Sequence, residues 1–139
     1  MTQEEKDLLL KDLCSRLPYG IKVHAKYIDT DNEVEKVGVL SMIDTDVVVA
    51  FTSDDTNCYN YVGIREVKPY LFPLSSMTEE QKTELNDTLI QLELKALNNE
   101  IEHHKVAEFE IDFYNKNMFD YRGLIPMGLA IDCTNLNIY

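Results

Sequence analysis

Tryptophan is missing from the 139 residues, and glycine, proline and cysteine are scarce at five, four and three. Each shortage excludes something. Gly20, Gly38, Gly63, Gly123 and Gly128 are scattered and build neither a Walker loop nor a Gly-x-Gly-x-x-Gly turn, so no phosphate cradle is encoded. Cys14, Cys58 and Cys133 make an odd count with no Cys-x-x-Cys, which points to a reduced, intracellular protein without a disulfide framework. No apolar run approaches the ~20 residues that span a bilayer. Met1-Thr2-Gln3-Glu4-Glu5 is acidic and opens an amphipathic stretch, so it does not read as a secretory signal. Bases are the minority charge, at 13 Lys and Arg against 25 Asp and Glu, for a net −12. Such a surface repels nucleic-acid phosphates, so direct phosphate binding is not expected. The excess divides as −5 over residues 1–70 and −7 over 71–139, without an acidic tail.

What is present is enough apolar material for a core. At 45% hydrophobic and 27% charged, the composition is that of a globular chain. The length predicts a single domain over 1–139: an N-terminal helix (1–18), a small β-barrel or meander (20–74) and a helical C-terminal part (78–139).

Thr2-x-x-Glu5 is a capping box, and Leu9, Leu10, Leu13 and Leu17 follow at helical spacing until Pro18 and Gly20. From Ile21 the period becomes two: Ile21, Val23, Ala25 and Tyr27 predict a half-buried strand, with a turn over Asp29-Thr30-Asp31-Asn32. Val37 to Ile43 and Val47 to Phe51 predict two more strands, joined tightly by Asp44-Thr45-Asp46, and Tyr59, Tyr61 and Ile64 begin a fourth. Val67 to Leu74 carries Pro69 and Pro73. Each proline removes a ladder donor, so this segment is expected at an edge or as an extended crossover.

Thr78-x-x-Gln81 is a second capping box. Beyond it, Leu85, Leu89, Leu92 and Ala96 form one stripe, and Ile90, Leu94, Leu97 and Ile101 a neighbouring one. A helix apolar over so wide a face packs between two surfaces or against a partner. Asn98-Asn99 stops it. A last helix is expected over roughly Ala107 to Met118, then a strand at Leu129-Ala130-Ile131. The expected class is α+β: an N-terminal helix, a small SH3-like antiparallel sheet or barrel, two C-terminal helices and a short terminal strand.

Three strings carry a resemblance: Leu13-Cys14-Ser15-Arg16-Leu17-Pro18-Tyr19-Gly20, Val67 to Glu80, and Phe119-Asp120-Tyr121-Arg122-Gly123-Leu124-Ile125 with Gly128 to Asp132. On these the sequence resembles a set of uncharacterised small acidic proteins encoded by phages and mobile elements of gut Bacteroidales. The resemblance implies a bacterial cytoplasm and a mobile-element origin. It transfers no catalytic residue.

Few constellations carry chemistry. In a continuous helix, Glu100, His104 and Glu108 would share a face beside His103 and offer metal ligands, but a two-ligand pair is common by chance and a solvated face is preferred. Asp29-x-Asp31-x-Glu33 starts like a calcium loop, yet has Val34 and Leu40 where that loop needs Gly and Glu, so it reads as a polar turn. The cysteines read as buried structural residues. Tyr27 and Phe51 are expected in the core, while Tyr59 and Tyr61 flank the acidic Asp54-Asp55 loop and suit an interaction surface. Asp120-Tyr121-Arg122 joins that candidate surface, although Arg122 tied to a carboxylate beside a positive-φ Gly123 is the preferred reading of this string.

The expectation is therefore a non-enzymatic accessory protein that binds a host or phage protein, with an inhibitor using an acidic docking surface as one version. No catalytic residue, metal site or cofactor is expected, and a homo-oligomer is left open. The alternatives are a small-ligand binder for a nucleotide signal, drawing on Lys22, Lys26, Arg65 and Lys68, and a structural component of a phage particle.

Overall fold

A computed structural model describes residues 1–44 and 46–139. Helix α1 (Gln3–Arg16) starts at the expected box: Thr2 Oγ1 accepts from Glu5 N–H at 3.1 Å, and Glu5 Oε2 accepts from Thr2 N–H at 2.7 Å. Leu9 and Leu13 face the core. Gly20, at φ +74°, turns the chain into β1 (Lys22–Asp29). The predicted turn closes on Thr30 and Asp31, both at positive φ, and β2 (Asn32–Ile43) returns antiparallel from Asn32 opposite Asp29 to Val39 opposite Lys22. On its other side β2 pairs with β3 (Val48–Ser53), across a bulge between Leu40 and Met42, and β3 pairs with β4 (Tyr59–Gly63). The tight connection expected at Asp44-Thr45-Asp46 includes Thr45, which lies outside the described residues. Gly38 passes so close to β3 that a Cβ there would stand 2.2 Å from the Thr52 carbonyl oxygen.

Strand β5 (Val67–Pro73) corrects the expectation of an edge or crossover. It pairs antiparallel with β1 through Val67–Pro69 and parallel with two short strands, β6 (Phe119–Asp120) and β7 (Ile131–Asp132). Leu71 C=O accepts from Cys133 N–H, and Phe72 N–H donates to Met118 C=O. These two groups belong to one trans peptide unit and point opposite ways, so the short strands take opposite sides of β5. Splitting its partners along its length lets β5 lie inside the sheet despite both prolines. The order β4-β3-β2-β1-β5-β6, with β7 also on β5, does not close. The fold is α+β as expected, and the sheet is open rather than a barrel.

Thr78 caps α2 (Glu79–Leu97) through its capping box with Gln81, and Asn98 ends it. The chain re-enters helix at His104 to form α3 (His104–Lys116), three residues before the expected start. Met118, at φ +61°, turns it into β6, which was not foreseen, and the terminal strand falls one to two residues later than expected. Leu9, Leu13, Val23, Phe51, Leu71 and Leu124 centre the main core between α1 and the sheet. Leu85, Phe113 and Phe119 form a second cluster under α2 and α3, and Phe72 touches both.

Candidate functional site

The sequence expectation grouped seven residues as an interaction surface, and the structure separates them into two places. Asp120, Tyr121 and Arg122 are committed to internal bonds. The Asp120 carboxylate is buried and accepts from the N–H groups of Leu124 and Ile125, at 2.8 Å each. Arg122 donates to Asp12 at 2.8 Å and to Ser15 Oγ at 3.3 Å. Asp12 is wholly buried and also accepts from Arg16 at 3.0 and 3.1 Å. Arg16 is equally buried and donates onward to the carbonyls of Phe119, at 2.6 Å, and Tyr114. The Tyr121 ring lies against both guanidiniums, 4.5 Å from Arg122 and 5.4 Å from Arg16, while its hydroxyl donates to Asn115. This network ties α1 to the segment after α3. Its polar groups are satisfied from within, which corrects the placing of these three residues on a docking surface.

Asp54, Asp55, Tyr59 and Tyr61 are all exposed, the acids in the turn after β3 and the tyrosines on β4. Ala50 opposes Tyr61 and Thr52 opposes Tyr59, so both tyrosines stand on the sheet face away from Phe51, Asn60 and Val62. Tyr59 is 66% exposed and Tyr61 64%. Met42, opposite Ala50 on β2, adds a further exposed apolar side chain to this row. The β2 bulge moves Met42 into line, and nothing in the local alternation signals that shift. The turn carrying Asp54 and Asp55 closes one end, with Asp54 bound to Lys22 at 3.2 Å. The row ends on the other side where Val48 opposes Gly63.

The cations suggested for a small ligand converge in part. Lys26, Arg65 and Lys68 line a cleft of about 430 Å³ with His24, Glu35, Glu66 and Ile131. Lys22 is elsewhere, on Asp54. Lys26 already contacts Glu33 at 2.6 Å and Glu35 at 3.6 Å, and Glu33, then Glu35, raise its pKa. The cleft is therefore charge-balanced rather than basic.

The metal reading loses its geometry. Glu100 lies between the helices, so it shares no helical face with His104 and Glu108, and His104 Nδ1 instead sits 3.2 Å from Glu102. Among the described residues no group of three metal-ligating side chains converges. Cys14 and Cys58 are exposed, against the expectation of buried cysteines, and only Cys133 is buried. Burial pushes the Cys133 thiol up to about 11, which keeps it protonated and unreactive near neutrality. Among the described residues no helix is long and apolar enough to cross a membrane.

No family model, curated protein or solved structure matches the chain.

Proposed function

We propose that the chain is a non-enzymatic binding module that docks a basic protein partner through the tyrosine face of β4. The observation that carries this reading is the pair Tyr59 and Tyr61, two-thirds exposed on one face of β4. Tyrosine offers a large, stiff contact surface with a polar tip, and its ring face attracts Arg and Lys. The −12 of the whole chain favours a positively charged partner and speeds its approach. With the resemblance to phage and mobile-element proteins, the reading becomes an accessory protein of the bacterial cytoplasm that occupies a host or phage protein, with inhibition by an acidic docking surface as its specific form.

The test is affinity capture from a Bacteroidales lysate with the chain and its Tyr59→Ala/Tyr61→Ala variant. A basic protein retained by the first, lost with the second and released by rising salt supports the proposal. Equal recovery on both, or nothing above background, ends it.

One observation favours a second reading, a small anionic ligand such as a nucleotide signal: Lys26, Arg65 and Lys68 share one cleft. Glu35 and Glu66 in the same lining weigh against it. A nucleotide in the mass spectrum of the purified chain, lost with Arg65→Ala/Lys68→Ala, would favour it over docking.

A further inference from the structure

The outer edge of β4 is open, and its backbone defines what fits there. Cys58 C=O accepts from Ser53 N–H, and Ile64 N–H donates to Val47 C=O, each at 3.2 Å. Peptide groups alternate along a strand, so Asn60 and Val62 also bond toward β3 while Tyr59, Tyr61 and Gly63 turn N–H and C=O outward. Gly63 agrees with this, because its N–H is taken by Glu66 Oε2 at 2.7 Å. Tyr59 and Tyr61 are thus the β4 positions whose outward N–H and C=O are both free among the described residues. Edge strands are usually blunted by lysine, proline or a bulge. Tyr59-Asn60-Tyr61-Val62-Gly63 has none of these. Around Gly63, Lys6 and Arg65 offset Asp46 and Glu66. At the Tyr59 end Asp54 is held by Lys22 of β1, on the side of β3 away from this edge.

Resting on the docking reading above, we propose that the partner is recognised by strand addition: an extended basic segment pairs with β4 at Tyr59 and Tyr61, drawn by the net −12 of this chain. Backbone bonds supply affinity, and the tyrosine rings select β-branched or aromatic side chains at alternate positions. A second copy of this chain fits less well, because it brings another net charge of −12 to the same edge.

The experiment pans a random peptide display library against the full chain, then titrates the enriched peptide while amide hydrogen exchange is followed. Expected are sequences alternating β-branched residues with Lys or Arg, and at least about tenfold slower exchange at the Tyr59 and Tyr61 amides. Tyr61→Pro deletes one outward N–H at an edge position where proline is tolerated, and is expected to weaken the peptide about tenfold or more. The exchange measurement on the unaltered chain stands even if that variant misfolds. An enriched peptide that leaves both amides unprotected overturns strand addition while docking survives. The same holds if no peptide enriches although a lysate partner is captured through the tyrosines. Failure of both panning and capture removes docking as well. Concentration-dependent dimerisation of the free chain that protects the same two amides gives the edge to a second copy and overturns the proposal.

Discussion

Asp12 lies between two guanidinium groups with no solvent of its own, and its removal tests the network directly. Asp12→Ala leaves Arg16 fully buried and uncompensated, and should lower unfolding free energy by about 3–5 kcal/mol. Lys26→Ala removes an exposed pair with Glu33 and should leave the urea midpoint where it is, which makes it the control. The pairing across 110 residues had no local signature. Asp12 and Arg16 lie one turn apart on α1, and only the fold shows that both are inside. Gly38 is similar. Nothing around it in the sequence signals a close approach, yet Gly38→Ala drives a methyl onto the Thr52 carbonyl. Backbone cannot rotate away as a side chain does, so denaturant unfolding should show a loss of about 1–3 kcal/mol.

Helix α2 carries two apolar stripes with different fates. Leu85 and Ala96 are buried, with Leu89 and Leu92 beside them, whereas Ile90, Leu94 and Leu97 are more than half exposed. Leu85→Ala should therefore destabilise by about 2–4 kcal/mol. Leu94→Gln should stay within about 0.5 kcal/mol of the parent in the same titration, because it gives up little buried area. The wide apolar face was legible in the sequence, and so was the choice it posed; which stripe the fold covers depends on α3 and β6, distant in sequence. Local chemistry made other elements legible. Capping boxes at Thr2 and Thr78 mark real helix starts, the alternation from Ile21 marks β1, and the positive-φ turn at Thr30–Asp31 falls where Asp and Asn cluster. Elements defined by their partners were not legible. The two prolines of β5 argue for an edge unless one knows that β1, β6 and β7 divide its length. Of the candidate surface, Tyr59 and Tyr61 were readable as strand residues beside an acidic turn, but their outward peptide groups depend on the β3 register.

At the scale of the molecule, burial raises a set of weak acids together. Cys133 rises to about 11, and Tyr139, Tyr70 and Tyr114 rise above the usual phenol range, each chiefly by burial. In every case the folded state holds its proton longer than the unfolded chain does. The stability these groups contribute is thus complete below their unfolded pKa values and declines as pH climbs through the folded ones. The decline begins near pH 9, where an unfolded thiol starts to ionise, and steepens above 10 with the phenols. Each proton lost also adds negative charge to a chain already at −12, so self-repulsion works in the same direction. Tyr139 isolates the effect. Its hydroxyl donates to Tyr70 C=O at 2.9 Å and accepts from Lys22 N–H at 3.0 Å, joining the start of β1 to β5. Tyr139→Phe keeps the ring beside Phe72 but breaks both bonds, so at pH 7 it should unfold about 1–2 kcal/mol more easily. Above pH 10 the order of the two curves should converge, because the variant has no phenol to hold neutral. Urea titrations of both chains from pH 7 to 11 read this directly. Curves that stay parallel to the alkaline limit would show that the Tyr139 hydroxyl contributes only its hydrogen bonds, and that the alkaline fall comes from the other raised groups and from net charge.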